Sequence, residues 1–296
     1  MAMRAKKRFS LFSIVNYSLF GLFTLLCVFP FYYLFINTIS NNDLSSRGLI
    51  WFYPEGIHFQ NYLRAFSVPG LKTAAFVSVS RTVIGTFLTV AVSAFLGYVF
   101  TRNEMWGRRF WYRFLILTMY FNAGIIPWFI TMKNLGLMNS FLAYIIPGIV
   151  VPFNVVLVKT FIESTPIALQ ESAQIDGAGY FTIFYKIVVP LITPILATLS
   201  IFTAVGQWNS FTDTLFLIND SKLFTLQFIL YRYLNEANAL ADMMKNSSTG
   251  IDISLMPTPM TIQTTVTMIV VAPILLVYPF FQRFFVKGIM IGAVKG

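Results

Sequence analysis

Six long apolar runs, almost free of charge, decide what this chain can fold into. A helix needs about 20 mostly apolar residues to cross the hydrocarbon core of a bilayer. Residues 11–39, 74–100, 114–132, 134–158, 187–212 and 260–281 meet that length or come close to it. Charged residues make up 11% of the chain and hydrophobic ones 57%, where a water-soluble domain carries about 25% and 45–50%. So few charges cannot cover so much apolar surface in water, and lipid must solvate much of it. The expected fold class is an all-α membrane protein, with six transmembrane helices in a single domain spanning residues 1–296. No internal repeat stands out, which weighs against transporters built from visible repeats.

The net charge of +10 would suit a nucleic-acid binder only if the basic residues gathered on a polar face. They sit instead at the ends of apolar runs, where they report topology. With the N-terminus inside, Arg4, Lys6, Lys7 and Arg8 share the inner side with Arg102, Arg108, Arg109, Arg113, Lys159, Lys186, Arg283, Lys287 and Lys295. The outer side keeps the smaller set Arg47, Arg64, Lys72, Lys133, Lys222, Arg232 and Lys245. The positive-inside rule therefore puts both termini in the cytoplasm. Residues 1–10 and 282–296 are expected as cytoplasmic tails, 159–190 as a cytoplasmic loop, and 40–73 and 219–259 as the large outer segments. The first run is too long for a secretory signal and no small-residue cleavage site follows it, so it is expected to be a retained span. Cys27 is the only cysteine, which excludes an intrachain disulfide, and His58 is the only histidine. A metal cluster or a Ser-His-Asp triad has almost nothing to work with here.

The inner loop is the most informative segment. Residues 159–194 read KTFIESTPIALQESAQIDGAGYFTIFYKIVVPLITP. Pro166 suits the first position of a helix with Thr165 before it as N-cap, and Gly177 suits the left-handed position that closes one. A second short segment, 180–187, leads to Pro190, where the fifth span can begin. Ile167, Leu169, Ala173, Ile175, Tyr180 and Phe181 have no span of their own to bury them, and such a surface usually meets a partner protein.

Glu171-Ser172-Ala173, three residues, Gly177, nine residues, and then Ile187-Val188-Val189-Pro190 resembles the EAA motif of importer permeases, EAA-x3-G-x9-I-x-L-P. Ser172 stands in place of the second alanine and Val189 in place of the leucine. Gln207-Trp208-Asn209-Ser210 is similar to the W-N element of sugar-importer permeases, and the stretch from Tyr278-Pro279-Phe280 to Gly296 is similar to the end of the oligosaccharide branch. Over nearly its whole length the chain resembles the permease subunits of carbohydrate-importing ABC transporters, in the branch that includes permeases for alginate and for plant-polysaccharide fragments.

That resemblance implies the type I importer architecture in a bacterial cell membrane, with the inner loop forming coupling helices. Glu171, Ser172, Ala173, Asp176, Gly177 and Ala178 would then set how the loop docks on an ATPase subunit, with Lys287–Gly296 against the ATPase dimer interface. The implied partners are a second homologous permease, two ATP-binding subunits, an extracytoplasmic solute-binding protein and a carbohydrate. ATP and Mg would sit on the ATPases, since this chain has no Gly-Lys dipeptide and so no G-x4-G-K-[ST] phosphate loop. No cofactor is expected on the chain itself.

Polar residues inside apolar runs are functional candidates because unpaired polarity in lipid is costly. Asn122, Asn154, Gln207, Trp208, Asn209 and Asp213 could line a translocation cavity, with Trp208 or Tyr120 stacking on sugar faces. The alternative is hydrogen bonding between spans. Arg81 has two readings as well. Residues 82–101 are long enough to cross on their own, leaving Arg81 to snorkel at the outer interface, or else Arg81 faces the cavity and meets an acidic sugar. Prolines 127, 147, 152, 194 and 273 fall within the runs, where neighbours must satisfy the carbonyls they free.

Three rivals remain. A proton-coupled secondary transporter needs buried carboxylates or histidines, and Asp213 alone offers thin support. A membrane enzyme needs paired carboxylates or a metal cluster at one face, and none appears. An ABC importer of a non-sugar solute would share the inner loop, but the W-N element and the tail resemble the sugar group.

Overall fold

The computed structural model describes residues 11–246 and 263–277, and among these there are helices and connecting turns but no strand. The expected tails, and the ends of the sixth run, lie outside the described residues. The chain divides into two compact units, Met1–Val68 with Tyr233–Ile269, and Pro69–Arg232 with Val270–Gly296.

In the first unit, α1 (Leu11–Ile39) runs for 29 residues. Its Leu, Val and Phe side chains stay exposed until Ile36 and Ile39 bury at its end, as expected of a helix solvated by lipid or another subunit. The chain leaves it through α2 (Asn42–Ser46) and α3 (Gln60–Phe66). A buried amide network fixes that exit. Asn61 Nδ2 donates to Thr38 O at 2.9 Å and to Asn42 Oδ1 at 2.8 Å, and Ser45 Oγ donates to Asn37 Oδ1 at 2.8 Å.

In the second unit, α4 (Leu71–Val99) is again 29 residues long and unbroken. It is followed by α5 (Arg108–Thr118), α6 (Ile125–Asn134), 3-10 turns at Phe141–Tyr144 and Ile146–Gly148, and α7 (Pro152–Glu163). Then come α8 (Ala168–Ile175), α9 (Tyr180–Ile183), a π turn at Phe184–Val188 and α10 (Val189–Leu191). After these lie α11 (Thr193–Asn209), α12 (Thr212–Leu217) and α13 (Leu226–Asn246), with α14 at Gln263–Val277; α13 passes into the first unit at Tyr233, and α14 returns to the second at Val270. The axis is α4, which packs against α11 and α7. Towards its start, Val77 joins Met132, Leu137, Tyr144 and Leu217. Towards its end, Ala94 and Tyr98 join Val158, Ile162, Ile183, Phe184 and Leu199.

Among the described residues, only α1 and α4 are long and apolar enough to span as single helices, with two further spans if each bent pair counts as one. The continuity expected of the other runs is interrupted for identifiable reasons. The third breaks between α5 and α6, where Asn122 Oδ1 accepts the Gly124 N–H at 2.9 Å and Gly124 turns the chain at φ +85. In the fourth, Pro152 takes the first turn of α7, and Val151 before it is extended, as the residue preceding proline prefers. This gives a 46° bend against Phe141–Gly148. In the fifth, Pro190 cannot donate to the carbonyl four residues back and its ring crowds that turn. The helix loosens into the π turn and then corners by 78° before α11. Thr165 does not cap the loop helix. Its hydroxyl donates back to Ile162 O at 2.6 Å, and α8 begins two residues after Pro166, with Ile167 as N-cap.

Gly97 sets how closely α4 and α7 approach. A Cβ there would lie 2.6 Å from Val158 Cγ1 and 3.1 Å from the Lys159 backbone nitrogen, and Val158 is fully buried and branched at Cβ. Gly97→Ala is expected to cost about 1–3 kcal/mol through overpacking, read as a lower melting midpoint of the detergent-solubilised protein. Val158→Ala in the same chain should recover part of the loss.

Candidate functional site

Arg81 lies ten residues into α4 and is 2% exposed. All five of its N–H groups are engaged. Nη2 and Nη1 grip the Asp213 carboxylate at 2.6 and 3.1 Å, and Nη1 also donates to Ser210 O at 3.2 Å. Nη2 and Nε both donate to Gln207 Oε1, at 3.0 and 3.3 Å. The guanidinium stacks on Tyr144, 4.4 Å from the ring centre. Asp213 Oδ1 is itself held by Ser210 Oγ at 3.1 Å and the Thr214 N–H at 3.0 Å. The bidentate geometry and stacking are what arginine offers and lysine does not. Arg81 therefore does not snorkel at an interface. Burial with a charge partner is the lower-energy arrangement once the α11–α12 junction delivers Asp213.

This cluster forms one wall of a cavity of about 380 Å³, lined by Trp128, Asn154, Thr203, Gly206, Gln207 and Tyr144 together with Arg81 and Asp213. Gln207 fits because α4 has a glycine opposite it. A Cβ on Gly85 would come within 2.8 Å of Gln207 Nε2, and one on Gly148 within 3.5 Å. Asn154, 8% exposed, faces the same space from α7. Tyr144 ties the cavity to the segment ahead of α13, donating to Leu223 O at 2.6 Å and accepting from Thr214 Oγ1 at 3.1 Å.

Of the residues expected in a substrate pathway, the structure thus gathers Arg81, Asn154, Gln207 and Asp213. Trp208 belongs elsewhere. It lines a separate apolar pocket with Val79, Val83, Pro273 and Ile274, and its indole N–H donates to Val270 O at 3.0 Å, a bond between helices. Asn209 is exposed at the end of α11, and Tyr120 and Asn122 are exposed in the break between α5 and α6. Sequence reasoning missed Tyr144, Trp128 and Thr203. The one usable signal was charge balance, a lone Arg and a lone Asp in or at the ends of apolar runs, which in lipid should find each other.

The inner loop forms a second cluster. At the end of α8, Gly177 has φ +80, its N–H donates to Gln174 O at 3.0 Å and the Ala178 N–H reaches back to Ala173 O at 2.9 Å. Those two bonds make a Schellman closure, with alanine at both positions where such a motif favours an apolar residue. Both alanines pack on the cluster around Tyr98 and Phe184. The opposite face is open: Glu171, Ser172 and Asp176 are exposed, Ile175 is 87% exposed, and Ile167, Leu169 and Phe181 are exposed beside it.

Residues 90–291 match the family described as the binding-protein-dependent transport system inner membrane component. The polygalacturonan/rhamnogalacturonan transport system permease protein YtcP of Bacillus subtilis is 34% identical, over 97% of this chain and 99% of that protein. The arabinooligosaccharides transport system permease protein AraQ of Halalkalibacterium halodurans is 29% identical, over 94% of each chain. A similar fold, TM-score 0.81 at 27% identity, covers 96% of this chain and all of one chain in the crystal structure of a bacterial ABC transporter involved in the import of the acidic polysaccharide alginate.

Removing one partner of the Arg81–Asp213 pair strands the other charge away from water. Arg81→Met alone is expected to destabilise by about 3–5 kcal/mol, and Arg81→Met with Asp213→Leu to regain most of it. Thermal unfolding of the purified variants in detergent measures both.

Proposed function

Because this chain belongs to the binding-protein-dependent transport system inner membrane component family, we propose that it forms one half of the translocation pathway of an oligosaccharide importer. It works beside a second, homologous permease and is driven by two separate ATPase subunits. The single observation that carries this reading is the glycine-closed helix α8, which packs half-buried Ala173 and Ala178 against its own subunit and leaves an apolar and acidic face open. A surface of that kind calls for a protein partner, and its spacing from Glu171 to Pro190 resembles the ATPase-docking motif. Glu171, Ser172 and Asp176 contact the ATPase, while Ala173, Gly177 and Ala178 hold the shape it meets. Closure of the ATPases on ATP pushes the loop, and rigid-body motion of the spans turns the push into alternating access. The chain itself binds no nucleotide, and ATP and Mg act on the partner subunits.

Carbohydrate is the substrate class favoured by the relatives, whose names refer to polygalacturonan, rhamnogalacturonan and arabinooligosaccharides. The cavity supports that choice. Asn154, Thr203 and Gln207 offer amide and hydroxyl groups to sugar hydroxyls, and Trp128 offers an aromatic face. Arg81 and Asp213 act indirectly, by holding Gln207 in place, since the guanidinium has no N–H left to give. Tyr120, Asn122 and Asn209 project from surface that the second permease completes. Both termini and the 159–190 loop lie in the cytoplasm, and α13 meets the solute-binding protein on the other side. Lys287–Gly296, outside the described residues, is assigned by the family resemblance to the ATPase dimer interface.

Gly177→Asp places a side chain where φ is +80, and Glu171→Lys reverses charge on the open face. Each variant should insert normally yet lose most uptake of a labelled oligosaccharide, about tenfold or more, while the assembled complex still hydrolyses ATP. Normal uptake by both at normal expression contradicts the assignment. In a Cys27→Ser background, Asp176→Cys should react with an impermeant maleimide only after cells are opened. Labelling of intact cells contradicts the orientation.

A further inference from the structure

The loop that meets the ATPase has to move the cavity, and its own chain connections are poor transmitters. On one side, Ser164 to Ile167 is not helical. On the other, the π turn and the 78° corner precede α11. The stiff route is across space, into the last turn of α4. Tyr98 OH donates to Tyr180 O at 3.1 Å, at the start of α9. Arg102, just beyond α4, donates through Nη2 to Gln170 Oε1 on α8, and its guanidinium stacks 4.4 Å from the centre of the Tyr98 ring. Gln170 is 5% exposed, the one residue of α8 that turns inward to this degree. Phe95 and Tyr98 add ring contacts to Phe181 and Phe184, with centroids 5.2–6.1 Å apart.

From there α4 runs without a break to Arg81, about 25 Å away at roughly 1.5 Å per residue. One helix thus grips both halves of the loop at one end and the cavity wall at the other. We propose that Tyr98 and Arg102 are positioning residues, a strut that locks α8 and α9 to α4 so that a push on the loop displaces the Arg81 end of α4. The proposal rests on the coupling reading above and adds to it the route by which force leaves the loop. Glu171 and Gly177 shape the face that receives the push. Tyr98, Arg102 and Gln170 pass it on, and none of the three touches nucleotide or solute.

The test uses the assembled importer in proteoliposomes, with Cys27→Ser and a reporter Thr203→Cys in the cavity wall. Two quantities are read, ATP hydrolysis and the change in reporter labelling by an impermeant maleimide on adding ATP and vanadate. With the strut intact, the labelling rate should shift by roughly tenfold. Adding Arg102→Ala and Tyr98→Phe should leave hydrolysis within about twofold while the labelling shift falls below about twofold. Arg102→Lys with Gln170→Glu, which rebuilds the contact as an ion pair, should restore the shift. The proposal is overturned if the strut variant keeps its labelling response, if hydrolysis and response fall in equal measure, or if the rebuilt pair restores nothing. A reporter complex with the strut intact that hydrolyses ATP without any labelling response removes the coupling reading itself, a result distinct from those three.

Discussion

A guanidinium held out of water is the constraint around which the larger unit is organised. Desolvating such an ion costs several kcal/mol even after relaxation, and the cost is offset only if every N–H finds an acceptor. Arg81 meets that condition with Asp213, Gln207 and the Ser210 carbonyl, all from the end of α11, the residue after it and the start of α12. The register of α4 against α11 is therefore set by hydrogen-bond geometry rather than by apolar contact alone. This matters in lipid, where burial of apolar surface between helices supplies little driving force. Small residues complete the arrangement. Gly85 makes room for Gln207, and Gly97 lets α7 close on the far end of the same helix.

The structure resembles a stiff member with two fittings. At one end α4 contributes to a polar cavity, and at the other it meets a loop whose outer face is exposed among the described residues. The helices around it are broken where proline or glycine breaks them, at Gly124, Pro152 and Pro190, while α4 contains no proline. Continuity in one element and compliance in its neighbours is a division suited to a machine that rocks, because strain gathers at the corners and leaves the rod straight.

Much of this was legible in the sequence, and the limits are physical. Apolar length gave the membrane class, and the Glu171–Gly177 spacing gave the loop and its left-handed closure, because a glycine after a short amphipathic helix has a local mechanism. Thr165 was misread as a cap since a hydroxyl can serve the helix behind it as readily as the one ahead, and only the fold decides. Asn154 and Gln207 were found as intramembrane polar groups, but Trp208 was assigned to the cavity when its indole spans to Val270. Periodicity cannot say which side of a helix meets which neighbour. Tyr144 escaped notice because a tyrosine in an apolar run carries no signal until an arginine lies across its ring. Arg81 and Asp213 were each weighed alone, although two opposite charges in a low-dielectric setting are better considered together.

The separation of that pair along the chain has a consequence for biosynthesis. Asp213 follows Arg81 by 132 residues, which at roughly 5–20 residues per second is a delay on the order of ten seconds. Throughout that interval the arginine has entered the insertion machinery and its counter-ion has not yet been made. The nascent α4 must wait with its charge near the headgroups or sheltered by the translocon, and it settles at its final depth only when the fifth apolar run emerges. The last third of the polypeptide thus determines when the second apolar run is finished.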